Sequence, residues 1–387
     1  MNVFVTGATG FYGGAIARRF ALAGHRVLGG GRSAAQGLAL ERDGVRFIAG
    51  DLTDLAAVRD ICQDQDLVVH AAALSSPWGP DEAFRRANVD ATRNVLDACR
   101  AAGVRRLVHI SSPSIYGHRR DLRDVREDVA IDARGLTAYA RTKLEAERLV
   151  DRAVAEGLDA IILRPRALFG PRDTTVLPRL VRALEARMLP IIGDGGNVVD
   201  LTYIDNAVDA VVRAAQAPES LAGRKFNITN GEPVALWPTI RSLCDLLGVP
   251  EPSHRVPTRV AMAIALAMET AARISRSERE PMLTRYGIAV LTNNTTLDIG
   301  AATRDLGYRP AVGIDDGMRR FAAWWKRRPL MSPPRLTLFE SGASQALDAL
   351  AHRVLDADCI AVHPCDGSQH VAAADKLVVP KSNGAVP

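Results

Sequence analysis

The chain is poor in cysteine and in long apolar runs, and each shortage excludes a class of protein. Five cysteines among 387 residues, widely spaced except for Cys359 and Cys365, predict the reduced thiols of a cytoplasmic protein instead of a disulfide framework. The longest apolar run, residues 260–268, is shorter than the roughly 20 residues that span a bilayer. No charged leader precedes an apolar stretch at the N-terminus, so we expect no secretion signal.

The chain also has few lysines and no basic block. Its 49 basic and 44 acidic residues give a net charge of +5, and only five of the basic residues are lysines. Dispersed arginines are typical of solvated faces and ion pairs, which argues against a nucleic-acid partner. The few lysines present therefore carry more information than usual.

The first 165 residues alternate short apolar runs with segments of helical period, which predicts an α/β fold with a doubly wound parallel (Rossmann) sheet. Strands are predicted at residues 3–5, 26–28, 45–49, 67–71, 106–110 and 160–163. We assign residues 1–165 to a dinucleotide-binding domain. After residue 165, prolines separate short segments. This pattern predicts a smaller, mostly helical substrate-binding cap over residues 166–329.

Within that second part, residues 191–228 are expected to return to the sheet, through a strand at residues 201–204 and a helix capped by Asp205. The apolar run 260–268 is compatible with a pocket wall, with a helix in the core of the cap, or with a helix on a membrane surface. Residues 330–387 are predicted to form a linker and a C-terminal tail. The histidines and cysteines of the tail lack paired zinc-ligand spacing, so no metal is assigned.

The first motif is Thr6-Gly7-Ala8-Thr9-Gly10-Phe11-Tyr12-Gly13, between the first strand and the first helix. Three glycines allow a tight turn and bring the backbone close to a pyrophosphate at the helix N-terminus, whereas a plain strand-to-helix turn needs only one glycine. We assign cofactor binding to Gly7, Thr9, Gly10, Phe11, Tyr12 and Gly13.

In such folds, the residues at the end of the second strand determine whether NAD(H) or NADP(H) is preferred. Gly29-Gly30-Gly31 and Arg32 stand where NAD-specific sites carry a carboxylate, so NADP(H) is favoured over NAD(H). Arg32 could instead lie on the adenine or point to solvent. Asp51 could accept a hydrogen bond from the adenine or serve only as a helix cap. Leu52, Ala71 and Ala72 complete the cofactor residues assigned here.

The most specific signal is Tyr139-Ala140-Arg141-Thr142-Lys143. Thr137 can cap a helix that places Tyr139 and Lys143 one turn apart on the same face. A nearby ammonium lowers the pKa of a phenol from its usual value of about 10, which suits proton exchange with a carbonyl oxygen. Ser112, after the fifth strand, is our choice for the hydroxyl that holds the substrate oxygen, with Ser111 and Ser114 as structural competitors.

Together these residues resemble the extended short-chain dehydrogenase/reductases over about residues 1–328. By resemblance, Ser112, Tyr139 and Lys143 form the catalytic triad. Tyr139 and Lys143 are also assigned to cofactor binding, Lys143 by holding the nicotinamide ribose, and Pro165 borders the nicotinamide. Asn88 matches an asparagine of the family that is either structural or catalytic. The absence of an acidic residue at Gly31 departs from the epimerases that use NAD.

Two further groups of residues narrow the resemblance. The stretches 163–171 and 200–206 are similar to the 3β-hydroxysteroid dehydrogenase branch. Residues 230–233 and 280–285 are most similar to the bacterial 2-alkyl-3-oxoalkanoate reductases. The resemblance implies NADPH-dependent reduction of a β-keto acid to a β-hydroxy acid.

The sequence therefore predicts an NADP(H)-dependent oxidoreductase that interconverts a ketone and a secondary alcohol on a small apolar substrate, either a β-keto acid or a 3-hydroxysteroid. Two alternatives stay open. One is a nucleotide-sugar epimerase or dehydratase with tightly bound NAD, and the other is a catalytically silent protein that senses the dinucleotide. We expect a cytoplasmic homodimer without a transmembrane segment, and peripheral membrane contact is compatible with the apolar run.

Overall fold

The computed structural model describes residues 1–277 and 279–328, so the predicted linker and tail at 330–387 lie outside the described residues. In chain order the strands are β1 (Asn2–Thr6), β2 (Arg26–Gly31), β3 (Arg46–Ala49), β4 (Leu67–His70), β5 (Arg106–Ile110), β6 (Leu122–Val125), β7 (Ala160–Pro165), β8 (Leu168–Phe169), β9 (Ile191–Ile192), β10 (Val198–Val199), β11 (Thr202–Tyr203), β12 (Lys225–Ile228), β13 (Val234–Ala235), β14 (Arg255–Val256) and β15 (Thr295–Leu297).

The α-helices follow the same chain order. They are α1 (Phe11–Leu22), α2 (Ala34–Glu41), α3 (Leu55–Cys62), α4 (Asp81–Arg85), α5 (Ala91–Ala102), α6 (Ala138–Ala155), α7 (Leu177–Glu185), α8 (Ile204–Gln216), α9 (Leu236–Leu247), α10 (Thr258–Ile274), α11 (Arg285–Thr292), α12 (Gly300–Asp305) and α13 (Ile314–Arg327). A π-helical turn, Arg86–Asp90, joins α4 to α5, and 3₁₀ turns lie at Pro113–Tyr116 and Glu219–Leu221.

Seven parallel strands form the main sheet in the order β12-β7-β5-β4-β1-β2-β3. The strand order reverses between β1 and β4, and in such sheets a ligand crevice opens at the carboxyl ends beside the reversal. All six predicted strands lie in this sheet, which confirms the doubly wound parallel prediction.

The alternation of side chains along the strands builds a core on each face of the sheet. Val3 and Val5 pack in one buried cluster together with residues of α1 and α8, whereas Phe4 between them packs in a second cluster with residues of α3 and α5. Because both faces are covered, the central strands are apolar along almost their whole length.

Two details of the predicted return to the sheet are wrong. Residues 202–203 form β11, which pairs with β8 in a separate two-stranded sheet, and β12 is the strand that joins the main sheet by pairing with β7. Asp205 does not cap α8. Tyr203 holds the extended N-cap position, and Asp205 lies in the first turn, where its charge favours the helix dipole.

Short strands and helices follow the main sheet in the region that the sequence assigns to the cap, and the division into two domains stays a prediction. The region contains a four-stranded sheet in the order β13-β10-β15-β6, and helices α7, α9, α10 and α11, which pack in small apolar clusters with β9. In α10, Ala261 and Ala265 are buried in the cap, whereas Met262 and Leu266 are 37% and 46% exposed. One side of α10 thus belongs to the cap core, and the other stays open. Within the described ranges, no helix has both the length and the apolar character that a bilayer crossing requires.

Candidate active site

The turn between β1 and α1 is closely packed, and two of its glycines have no room for a side chain. Gly7 has φ +67°, and a Cβ there would lie 2.8 Å from the Cα of Ala72. A Cβ on Gly13 would lie 2.3 Å from the Gly7 carbonyl oxygen. Gly10 precedes α1 and offers no capping side chain. The first N–H groups of α1 therefore remain available, and this cradle fits the pyrophosphate of a dinucleotide.

The first two residues of α1 are Phe11 and Tyr12, both of which the sequence assigns to the cofactor site. The Tyr12 hydroxyl donates to the carbonyl of Ala207 in α8 at 2.8 Å, and burial raises the pKa of this phenol well above its usual value. Phe11 is the first residue of α1 and is partly exposed. The Tyr12 side chain therefore fastens α1 to α8, and the cofactor contacts of Phe11 and Tyr12 stay predictions.

At the end of β2, a side chain in place of Gly31 would require Thr9 to move. A Cβ on Gly31 would lie 2.6 Å from both Cγ2 and Oγ1 of Thr9. Arg32 follows directly and is exposed. Residues 31 and 32 therefore present a guanidinium, and no carboxylate, at the position that discriminates between the two nicotinamide dinucleotides.

Asp51 and Leu52 lie at the end of β3, beside the same edge of the sheet. Asp51 accepts from Thr53 N at 2.9 Å and from Arg86 Nη2 at 3.2 Å, and the Thr53 bond together with the arginine charge lowers the pKa of its carboxyl. The N-cap of α3 is Asp54, whose carboxylate accepts from Ala57 N. The reading of Asp51 as the helix cap is therefore wrong, and its predicted adenine contact stays a prediction.

Ala71 and Ala72 follow β4 on the other side of the strand-order reversal. Thr6 Oγ1 accepts from Ala72 N at 3.0 Å and lies 2.9 Å from His70 Nδ1. This contact holds the β4 loop against the glycine turn, so the two small alanines border the predicted cofactor crevice.

Helix α6 places Tyr139 and Lys143 one turn apart, and Thr137 caps it by accepting from Ala140 N at 3.2 Å. Lys143 is 2% exposed. Its Nζ donates to the Ile110 carbonyl at 2.6 Å and lies 3.4 Å from His109 Nε2. Burial lowers the pKa of Lys143 to about 8, although the carboxylate of Glu147 acts in the opposite direction. The ammonium is thus fixed at the end of β5.

The pKa of Tyr139 differs from the sequence prediction. Burial raises it to about 12, against the effect of the neighbouring Ser112 hydroxyl and with a further contribution from Tyr286. The prediction of a lowered pKa considered only the ammonium of Lys143. That group is held by the Ile110 carbonyl, so the loss of hydration dominates at the phenol. At neutral pH Tyr139 is therefore a proton donor.

The three serines after β5 have different environments. Ser111 donates to Glu147 Oε1 at 2.5 Å inside the core, as expected of a structural hydroxyl. Ser112 accepts from Ser114 N at 3.2 Å, is half-buried, and acts on the Tyr139 phenol. The geometry therefore favours Ser112 as the serine beside Tyr139.

Two residues named by resemblance lie close to this group. Pro165 is buried at the carboxyl end of β7, in register with Ile228. Asn88 accepts from Leu74 N at 2.7 Å and donates to Thr142 Oγ1 at 3.0 Å. These bonds fasten α6 to the loop after β4, which supports the structural reading of Asn88.

Sequence reasoning gave no role to Tyr286, which acts on the Tyr139 phenol, or to Arg166, which acts on Tyr286. Tyr286 opens α11 of the cap and lies edge-on to His118, with ring centroids 5.0 Å apart. Arg166 follows Pro165 directly, and its charge acts on Tyr286. The signal for Arg166 was its place immediately after a strand of the sheet. Tyr286 had no such signal, because only the folded cap brings it to the site.

A glycine cradle at a strand-order reversal, with a Tyr-Lys pair on the neighbouring helix, defines an extended short-chain dehydrogenase/reductase. The chain belongs to the NAD dependent epimerase/dehydratase family, whose profile matches residues 3–229.

Two similar proteins within this family are a reductase and a dehydrogenase. The chain is 37% identical over 329 residues to a 2-alkyl-3-oxoalkanoate reductase of Stenotrophomonas maltophilia, covering 84% of this chain and 99% of the relative. It is 34% identical over 288 residues to the Arabidopsis thaliana 3beta-hydroxysteroid-dehydrogenase/decarboxylase isoform 2, covering 71% of this chain and 51% of the relative.

A solved structure agrees with the fold. The UDP-glucuronic acid 4-epimerase of Bacillus cereus in complex with NAD is 25% identical, with a TM-score of 0.67, over 84% of this chain and 99% of that one.

Proposed function

We propose that this chain is an NADP(H)-dependent oxidoreductase that interconverts a ketone and a secondary alcohol, with a 2-alkyl-3-oxoalkanoate as its substrate class. The observation that carries the proposal is the meeting of Ser112, Tyr139 and Lys143 at the carboxyl edge of the sheet, beside the glycine turn. The likeness to the Stenotrophomonas reductase over almost its full length supports the substrate class.

Each residue of the group has a separate task. A bound nicotinamide supplies or accepts the hydride. Tyr139, protonated at neutral pH because its pKa is about 12, donates a proton to the substrate oxygen during reduction. The Ser112 hydroxyl donates to the same oxygen and orients it. Lys143 keeps further N–H donors beside its bond to Ile110, and these can hold the ribose of the cofactor.

The preference for NADP(H) rests on the end of β2. Gly31 packs against the Thr9 side chain and carries no carboxylate that would repel a 2′-phosphate there. The exposed guanidinium of Arg32 can pair with that phosphate through two parallel hydrogen bonds. Cytoplasmic location, a homodimer and membrane contact remain predictions.

A substrate and cofactor panel tests the proposal. β-Keto acids, 3-ketosteroids and nucleotide sugars are offered with NADPH and with NADH, and the loss of nicotinamide absorbance is followed. We expect turnover of β-keto acids with a preference for NADPH.

Denaturing the purified protein and assaying the supernatant for NAD supplies the control. Released NAD together with conversion of a nucleotide sugar would favour the epimerase alternative. Binding of NADPH without turnover of any substrate would favour the sensing alternative.

A further inference from the structure

Arg166 is fixed at the carboxyl end of β7, at the mouth of the site. Its backbone N–H donates to the Ile228 carbonyl at 3.1 Å, and its own carbonyl accepts from the Thr202 hydroxyl. The residue before it is Pro165, whose φ is restricted by its ring. The backbone that carries Arg166 is therefore held on both sides.

The register of β7 against α6 brings Arg166 level with the catalytic group. Arg164 points toward α6 and pairs with Glu147, which lies one helical turn beyond Lys143 and two beyond Tyr139. Alternate residues of a strand share a face, and two strand residues advance about 6.6 Å while a helical turn advances about 5.4 Å. Arg166 thus continues along the face of Arg164 toward Lys143 and Tyr139.

Electrostatic contacts agree with this register. The charge of Arg166 acts on the Tyr286 phenol, and Tyr286 in turn acts on the Tyr139 phenol. Tyr286, on α11 of the cap, thus interacts electrostatically with both Arg166 and Tyr139.

The guanidinium of Arg166 is not used by the fold. Its Nε is buried and has no hydrogen-bond partner among residues 1–277 and 279–328. The buried carboxylate of Asp200 interacts electrostatically with Arg166, but the two form no ion pair in the described chain. Asp200 accepts from Leu297 N at 2.7 Å through one oxygen, and its Oδ1 has no hydrogen-bond partner there. The Nε donor of Arg166 therefore remains available at the carboxyl edge of the sheet, where an anionic ligand can accept from it.

We propose that Arg166 binds the carboxylate of a 2-alkyl-3-oxoalkanoate and so selects β-keto acids over neutral ketones. This inference rests on the proposed function. A β-keto acid carries its carboxylate two carbons from the reacting carbonyl, so an anchor beside Tyr139 has the required reach. The planar fork of a guanidinium matches a carboxylate with two parallel hydrogen bonds.

The test compares an acid with its neutral ester. β-Keto acids lose CO₂ readily, so the reaction is run as oxidation with NADP⁺ on a 2-alkyl-3-hydroxyalkanoate and on its methyl ester. The ratio of the two kcat/KM values is measured for the wild-type enzyme and for Arg166→Gln, Arg166→Lys and Arg148→Gln. Arg148 is an exposed arginine of α6 and serves as the matched loss of one positive charge.

We expect the wild type and Arg148→Gln to prefer the acid. Arg166→Gln should reduce the acid-to-ester ratio by about 100-fold, mainly through the KM of the acid, as expected for the loss of a charge-assisted pair. Arg166→Lys should restore part of the ratio, because the charge returns without the fork. Binding of NADPH to each variant shows that the protein is folded.

Three results would overturn the inference, and they can be told apart. An unchanged ratio in both Arg166 variants would remove Arg166 from carboxylate binding while leaving the reductase function standing. A wild-type enzyme that oxidises the ester as well as the acid would show that no carboxylate anchor is used. A wild-type enzyme that oxidises neither would overturn the proposed function and the inference with it.

Discussion

An arginine inside the main sheet and an arginine at its carboxyl edge differ in their hydrogen-bond partners. Inside the sheet, Arg164 is 1% exposed, and its guanidinium lies 2.6 Å from the Glu147 carboxylate and 2.6 Å from the Tyr116 hydroxyl. Two residues later, at the edge, the Nε of Arg166 has no partner in the described chain. Polar groups that the fold needs are satisfied by the fold, whereas the edge keeps donors for a ligand.

The same contrast holds for the hydroxyls after β5 and for the lysine of the site. Ser111 is bonded to Glu147 in the core, whereas Ser112 faces Tyr139. Lys143 donates one hydrogen bond to the Ile110 carbonyl, and its buried ammonium has further N–H donors available. Ser112 and Lys143 therefore keep hydrogen-bonding capacity at the carboxyl edge of the sheet.

Replacing each of the two arginines with methionine should change the free energy of unfolding by very different amounts. Arg164→Met leaves the buried Glu147 carboxylate without its partner, and we expect a loss of about 3–5 kcal/mol in the free energy of unfolding. Arg166→Met removes a donor that has no partner, so its unfolding free energy should stay within about 1 kcal/mol of wild type. Urea unfolding measures both. Equal losses would show that Arg166 is as structural as Arg164.

The protonation state of Lys143 should determine how activity depends on pH. Lys143 is charged below a pKa of about 8 and neutral above it, so we expect kcat/KM for reduction with NADPH to fall as the pH rises through about 8. The cause is weaker binding of the cofactor ribose by the neutral amine. Arg stays charged throughout this range, so Lys143→Arg should lack the descending limb even if its rate is lower. A limb near pH 8 that persists in Lys143→Arg would assign it to another group.

The smallest expected effect concerns the cofactor. Arg32→Ala should lower the preference for NADPH over NADH by about tenfold, because one charge-assisted pair to the 2′-phosphate is lost. Kd values for both dinucleotides measure the change, with Arg42→Ala, an exposed arginine just after α2, as the control. An unchanged ratio in Arg32→Ala would place Arg32 in solvent or on the adenine.

The sequence predicts the sheet well because its strands are buried on both faces and read as apolar runs between glycine-ended helices. The helix with Tyr139 and Lys143 is equally readable, since Thr137 and the four-residue spacing are local signals. The strand β12 and the pairing of β11 with β8 depend on contacts between distant segments, which no local pattern records.

The site was only partly predictable for the same reason. The high pKa of Tyr139 follows from burial under the cap, which spacing along α6 does not show. Tyr286 reaches the cleft from α11, far along the chain. Asp205 illustrates the limit of a cap signal, because the residue fits an N-cap by type and lies two positions beyond the observed one.

The central claim is that Tyr139 exchanges a proton with the substrate oxygen beside the bound dinucleotide. Its most direct test is single-turnover reduction of a β-keto acid by Tyr139→Phe, with the Kd for NADPH measured in parallel. We expect the rate to fall by about 1000-fold while the Kd changes by less than about twofold, because the aromatic ring is kept and only its hydroxyl is lost. A variant that retains more than about a tenth of the wild-type rate would contradict the account.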